Sequence, residues 1–335
     1  MSTYCTSTPG EQRIATGEAH GKAILLGEHA VVYGAPALAL PLTALTCRAT
    51  VRRSPGTGPA AAGPLLAAPG SSGQRSGPGG HVPDEFRLLL GAFAERAGLG
   101  APPAVEMRLD SRIPTSRGLG SSAAHARALV RALDTLFGSG LDEEAAFSLV
   151  QVAEQAAHGR ASGIDARATG GERPVLLADG RPRTPGVGAG FHVVVADSGS
   201  EGSTRRAVGM LRDAFAREPQ QRTRFLGRST ALTRAALDDL AAGRLAMLGS
   251  HLTEGHRMLA GLGLTTDRTD ALARTALEAG ALGAKMSGGG LGGCVVALAA
   301  TSAHAGSVAA ALTARTGART WTAAVAKGAG HDHHP

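Results

Sequence analysis

Residues 111–128 read SRIPTSRGLGSSAAHARA. A proline, a glycine–serine cluster and the start of an alanine-rich stretch follow one another between an alternating segment and a helical one. Gly118 and Gly120 can adopt positive φ and expose backbone N–H groups with no side chain in the way of a ligand. Ser121 or Ser122 can cap the helix that follows. Free N–H groups and the helix dipole together make such an end an anion site, and the natural anion is phosphate. The same composition also suits a plain capped turn, and the loop alone leaves both readings open.

No GxxxxGK[ST] occurs, so this is not a Walker A loop. A GxGxxG does occur at Gly288, Gly290 and Gly293, but a helical pattern precedes it at a distance and the apolar run CVVALAA follows it directly. That order is wrong for a dinucleotide fingerprint, which needs a strand before and a helix after. A glycine turn that lets two backbone segments approach closely fits better. Lysine occurs only at positions 22, 285 and 327, and two of the three stand inside or beside glycine motifs.

The elements that must hold these loops are legible in outline. Residues 12–53 read as several strands, 82–98 as an amphipathic helix stopped by Gly98, and 104–110 as a strand. Helices are expected at about 121–137 and 142–158, then a loop, GRASGIDARATGG, then strands near 174–178 and 191–197. Residues 204–280 are mostly helical in pattern. The end runs strand, glycine loop, strand, helix, strand. A domain boundary is expected near 190–205. The stretch 54–80 is Pro/Gly/Ser-rich and of low complexity, which suits a surface loop. The HDHHP tail at 331–335 could bind metal but suits a solvated end.

At 335 residues the chain is long enough for two domains. Hydrophobic residues are 43% and charged residues 18%, as in soluble globular proteins. No 18-residue apolar span and no secretory leader pattern is present, and the three cysteines form no CxxC pair, which together point to a cytoplasmic protein without a membrane partner. The net charge is +7, yet the basic residues are scattered and aromatics are only 3%, so nucleic acid is not the expected partner. A basic surface serves small anionic ligands equally well.

Three stretches in order, GKAILLGEHAVVYGAPALAL (21–40), IPTSRGLGSSAA (113–124) and KMSGGGLGGCVVAL (285–298), resemble the three motifs of the GHMP kinases. The resemblance spans roughly 20–300. It implies an α+β, two-domain GHMP kinase fold. The N-terminal domain (1–198) would carry a left-handed βαβ crossover and the C-terminal domain (199–330) would be ferredoxin-like. Within the group, GEHAVVYG and HGRASGID are similar to the members that act on mevalonate. The implied reaction moves the γ-phosphoryl group of ATP to the 5-hydroxyl of mevalonate, with magnesium as cofactor. A sister activity on phosphomevalonate or at the 3-hydroxyl, a decarboxylase, or a non-catalytic ligand sensor would share the loops.

The resemblance also implies roles. Gly118, Leu119, Gly120, Ser121 and Ser122 would cradle the ATP phosphates, and Ser122 would face magnesium together with Glu154. Asp165 would accept or orient the hydroxyl proton, with Lys22 beside it. Glu28, His29 and Thr204 would line the substrate pocket, with Arg205 a weaker candidate. Members of the family usually carry Gly where Ser116 stands and a small residue at Arg117, so Arg117 would add a charge near the phosphates or be solvated. His125 stands where relatives often have an aromatic residue. Gly288 to Gly293 would pack against the phosphate loop, Ser287 would cap or touch phosphate, and Lys285 would be structural. Read singly, each residue has a plainer alternative: a surface glutamate paired with His158 for Glu154, an Asx turn for Asp165, a solvated strand lysine for Lys22, a hydrogen-bonded core histidine for His29, a helix cap for Thr204. The oligomeric state stays open, a homodimer included.

Overall fold

The computed structural model describes residues 14–54, 82–159 and 161–332; residues 55–80 of the low-complexity stretch and 333–335 of the tail lie outside the described residues. Two compact units form, and they are not consecutive halves of the chain. One comprises the described parts of Met1–Ala19, Cys47–Arg112 and His125–Ala157; the other comprises His20–Thr46, Ile113–Ala124 and the described parts of His158–Pro335.

Strand β1 (Ile14–Leu26) alternates exposed and buried residues up to Ala19 and is buried throughout from His20 on. Alternation marks a sheet with one wet face, and continuous burial marks one covered on both. Strand β2 (Ala37–Arg53) pairs with β1. In the first unit β2 continues as an antiparallel pair with β3 (Val105–Ser111), in register from Cys47 opposite Ser111 to Arg53 opposite Val105. Helix α1 (Asp84–Arg96) buries Phe86, Leu89, Leu90 and Phe93 at helical spacing, and Gly98 ends the segment at φ 66°. The alanines of α2 (Ser121–Phe137) let it lie directly on β1: a Cβ added at Gly17 would fall 2.3 Å from the Ala128 carbonyl oxygen. Helix α3 (Glu143–His158) follows.

In the second unit β2 pairs antiparallel with β4 (Val175–Ala178), which pairs with β5 (Arg181–Thr184), and β10 (His331–Asp332) adds to β5. The tail therefore begins as an edge strand. The expected loop 159–171 contains a five-residue helix, α4 (Ile164–Ala168), with Gly163 before it at φ 88°.

The remaining strands, β6 (Phe191–Asp197), β7 (Gly283–Ser287), β8 (Cys294–Ala299) and β9 (Thr320–Val325), form an antiparallel sheet in the order β7-β8-β6-β9. Helices α5 (Thr204–Arg217), α6 (Pro219–Ala242), α7 (Leu245–Ala260) and α8 (Asp267–Glu278) lie between β6 and β7 in the chain, and α9 (Ser302–Thr316) lies between β8 and β9. This is the strand order of a ferredoxin-like βαββαβ unit with an enlarged first helical connection. Because β6 is an inner strand of this sheet, the C-terminal module begins before residue 199. Leu272 and Ala276 of α8 and Val308 and Leu312 of α9 cover the sheet over Val194, Val295 and Ala297. No described helix is long and apolar enough to cross a membrane.

Helix α7 meets β7 backbone to backbone. A Cβ on Gly249 would fall 2.1 Å from the Leu282 carbonyl oxygen, and one on Gly283 only 1.8 Å from that of Gly249. Gly306 on α9 has nothing within 4 Å of the same added atom. Gly249→Ala is therefore expected to destabilise by about 2 kcal/mol or more through overpacking, whereas Gly306→Ala stabilises by about 0.5–1 kcal/mol through helix propensity. Melting temperatures of the two variants moving in opposite directions is the expected result.

Candidate active site

The glycine–serine loop between β3 and α2 is built by its carbonyls. Those of Ser116, Arg117 and Leu119 accept from the backbone N–H groups of Gly202 (2.9 Å), Cys294 (3.2 Å) and Lys22 (2.9 Å). That of Gly118 accepts from the Lys22 ammonium at 3.1 Å. The Gly120 carbonyl accepts from Ala124 N–H at 2.9 Å, which makes Gly120 the residue that opens α2. Ser121 and Ser122 are then the first two helical residues and not its cap, contrary to the expectation. With the carbonyls engaged, planar peptides turn the N–H groups the other way. Those of Gly120, Ser121 and Ser122 have no backbone acceptor among the described residues. An anion is what such an array binds.

The backbone conformation demands glycine here. Gly118 and Gly120 have φ of 75° and 70°. A Cβ on Gly118 would fall 2.6 Å from the Ser287 carbonyl oxygen, and one on Gly288 would fall 2.5 Å from the Gly118 Cα. The 287–293 run thus packs against the glycine–serine loop, as expected. A Cβ on Gly120 would meet the Lys22 side chain at 2.8 Å. Ser116 adopts φ 56° without being a glycine.

Lys22 comes from the buried part of β1 and is 1% exposed, so it is no solvated strand lysine. Its Nζ lies 3.0 Å from Asp165 Oδ2. Asp165 sits in the first turn of α4, where its carboxylate is a third exposed. The α4 backbone is fixed beneath it by Thr169, whose hydroxyl donates to the Asp165 carbonyl at 3.0 Å. Three segments distant in sequence, around Lys22, Gly118–Gly120 and Asp165, therefore meet: a cation, a carboxylate one-third exposed, and a helix terminus with free N–H groups. A cation and a carboxylate beside an anion site can polarise and deprotonate a hydroxyl.

The Glu28 carboxylate is buried and paired with Lys285, itself fully buried on β7. Burial raises the Glu28 pKa, against the pull of Lys285, and lowers that of Lys285. His29 is also buried, at φ 61°, and its Nε2 has no hydrogen-bond partner among the described residues. A Cβ on Gly290 would lie 3.6 Å from that nitrogen, so the imidazole faces the glycine run. Burial, then the Lys285 charge, push its pKa down to about 4.

Thr204 opens α5 as its first residue, and the cap is Ser203, whose hydroxyl accepts from Arg206 N–H. Thr204 packs on Gly289, where a Cβ would meet its Oγ1 at 2.0 Å. The Ser287 hydroxyl is occupied: it accepts from Ile24 N–H at 2.9 Å and donates to the Ile24 carbonyl at 3.2 Å, so it ties β7 to β1 and does not cap a helix. Arg117 is not solvated. Its Nε lies 3.0 Å from Asp197 Oδ1 at the end of β6, which compensates the charge expected to serve the phosphates, and Nη1 is buried without an acceptor among the described residues.

Glu154 belongs to the other compact unit, on α3, and at 4% exposed it is no surface glutamate. Among the described residues no group of three His, Cys, Asp or Glu side chains could hold a metal. Two open grooves along α6, of about 510 and 760 Å³, contain none of the candidate residues.

Ser116→Gly relieves a left-handed backbone and should raise stability by about 1 kcal/mol, read as a higher melting temperature. A pH dependence is expected from His29 and His125, both lowered from 6.5 to about 4 by burial. Between those values the unfolded chain binds protons that the folded one refuses, so their contribution is whole above pH 6.5 and is lost as pH falls toward 4. Melting temperature should decline through that window, and less steeply in His125→Phe, which cannot charge.

Two family models match the chain: GHMP kinases N terminal domain over residues 86–171 and GHMP kinases C terminal over residues 236–318. A mevalonate kinase of Aeropyrum pernix is 31% identical over 299 residues, covering 86% of this chain and 89% of its own. One of Thermococcus onnurineus is 31% identical over 306 residues, covering 84% and 88%. Among solved structures, L. major mevalonate kinase in complex with R-mevalonate superposes with a TM-score of 0.77 at 26% identity, over 97% of this chain and 100% of that one. Lactococcus lactis galactokinase, at 20% identity and a TM-score of 0.74 over 96% of this chain and 95% of its own, shares the fold alone. Sequence likeness over most of the length, with a glycine-built anion loop beside a lysine–aspartate pair, establishes that the chain belongs to the GHMP kinase family.

Proposed function

We propose that this protein transfers the γ-phosphoryl group of ATP to the 5-hydroxyl of (R)-mevalonate, giving 5-phosphomevalonate and ADP. The observation that carries the reading is the Lys22–Asp165 contact of 3.0 Å at the lip of the glycine loop. Relatives about 30% identical over most of the chain bear the name mevalonate kinase, which selects this alcohol among those used by the family.

The chain's own groups divide the work. The N–H groups of Gly118, Leu119, Gly120, Ser121 and Ser122 hold phosphate oxygens at the start of α2. Asp165 takes the proton of the 5-hydroxyl as its oxygen bonds to the γ-phosphorus and the bond from that phosphorus to the β,γ-bridging oxygen breaks, releasing ADP. Lys22 favours the alkoxide-like oxygen and the charge spread over the transferring group. His29 and Thr204 face the glycine run and orient the alcohol.

Magnesium suits the remaining donors. It prefers oxygen ligands, keeps several waters and binds through one or two carboxylates plus substrate phosphates. The buried Glu154 carboxylate and the Ser122 hydroxyl are each oxygen donors of that kind, and an ion held by so few protein ligands needs no cluster of three acidic or imidazole groups. When bound, the ion would neutralise phosphate charge.

A coupled ADP assay run on mevalonate and on phosphomevalonate, with the product located by phosphorus NMR, tests the reading. Turnover with mevalonate and a new phosphomonoester at its 5-position is expected; turnover with phosphomevalonate alone would overturn it. Asp165→Asn should lower kcat about a thousandfold while ATP still binds by calorimetry. Full activity in that variant would mean that another group takes the hydroxyl proton.

A further inference from the structure

The Lys285 ammonium carries three donors, and all three are engaged. They go to the Glu28 carboxylate, the Met286 carbonyl at 2.6 Å and the Ile24 carbonyl at 3.4 Å. Nothing is left for a ligand, so whatever Lys285 does it does through Glu28 and through its charge.

Glu28 stands in a turn that is conformationally costly. Gly27 before it has φ 94°, and an added Cβ there would lie 2.3 Å from the Pro36 carbonyl oxygen. His29 after it has φ 61°, in the left-handed region, where a residue with a Cβ persists only if its surroundings hold it. Two backbone bonds close the turn, Ala30 N–H to Glu28 O at 2.7 Å and Val31 N–H to Gly27 O at 3.0 Å. The side-chain anchor from within is the Glu28–Lys285 pair. On the far side of the turn the unpartnered Nε2 of His29 faces Gly290.

We propose that the buried Lys285–Glu28 pair is a positioning device for substrate recognition, which locks the Gly27–His29 turn and so aims Nε2 of His29 at the glycine run as an uncharged hydrogen-bonding group. The inference rests on the mevalonate reading and adds to it the means by which His29 is presented. The charged groups around the turn are Lys285 of β7, Glu28 itself and Lys22 of β1; His256 of α7 and Asp270 of α8, which lie 3.2 Å apart, sit behind Lys285. Only Lys285 acts on His29 to a resolved extent besides burial. An imidazolium would be repelled by that ammonium, whereas a neutral imidazole is not. A neutral imidazole suits a hydroxyl group of the substrate better than its carboxylate.

The double variant Glu28→Gln/Lys285→Met separates this from a merely structural pair, because it removes both charges at similar volume, a change that buried ion pairs often tolerate. Expected are a melting temperature near that of the unmodified protein, a KM for mevalonate raised about tenfold with the KM for ATP unchanged, and a His29 titration midpoint moved upward by about one unit. The last is read by NMR of histidine-labelled protein, with the signal assigned through His29→Asn. A folded double variant with unaltered mevalonate KM and unaltered His29 titration would overturn the proposal. If the double variant does not fold, the unmodified protein still decides: a His29 signal titrating near 6.5 overturns the proposal, and one uncharged down to pH 5 supports it. The NMR readout needs no turnover, so a protein inactive on mevalonate with the expected His29 behaviour would sink the functional reading and leave the pairing standing.

Discussion

Two stretches of backbone pressed together without intervening side chains set the geometry of this enzyme. The loop 116–120 and the run 287–293 approach so closely that a single methyl group on Gly118 or Gly288 would overlap main-chain atoms. Everything chemical is hung on that contact. It directs the loop carbonyls toward Gly202, Cys294 and Lys22, and leaves the N–H groups at the start of α2 facing the other way. It also brings β7, with Ser287 and Lys285, against β1, with Ile24 and Lys22. Glycine is here a load on the unfolded chain, which loses more freedom at such positions than at any other. The run of four inward-bonded carbonyls compensates, since each also satisfies a buried polar group.

Around that contact the protein sets two lysine–carboxylate pairs in contrasting environments. Lys22 and Asp165 meet at a lip where the carboxylate is a third exposed, and Asp165 can exchange its partner for a ligand. Lys285 and Glu28 meet where neither sees solvent, and each is the partner that offsets the burial of the other. The first pair is open to a ligand and the second is closed to one. The same residue types thus serve different ends according to how far water reaches them.

Much of this is legible in the sequence, and the failures have identifiable causes. The alternation of β1 and β3, the helical spacing of α1 to α3 and the strand–loop–strand ending are local patterns, and each element lies where its pattern predicts. Helix α4 is hidden because five residues between glycines show no period. Ser121, Ser122 and Thr204 have the chemistry of caps, but which residue caps a helix depends on which carbonyl first accepts a bond, and that role falls to Gly120 and Ser203. The positive φ at Ser116 is foreseeable as a departure from the family motif. The Glu28–Lys285 and Arg117–Asp197 pairs are not, since 257 and 80 residues separate the partners and nothing local marks either charge as buried. Likewise β6 carries no local sign that it joins the later sheet.

The scarcity of lysine acquires a physical meaning once the three are located. Two are sealed within the protein, and Lys327 alone among them stands in solvent near the chain's end. Basicity at the surface is carried almost wholly by guanidinium groups, which stay protonated and are poor nucleophiles at neutral pH. Acylating agents, metabolic or synthetic, therefore find one lysine side chain to modify on the folded molecule, and the amine that contacts Asp165 is screened from them by its own fold.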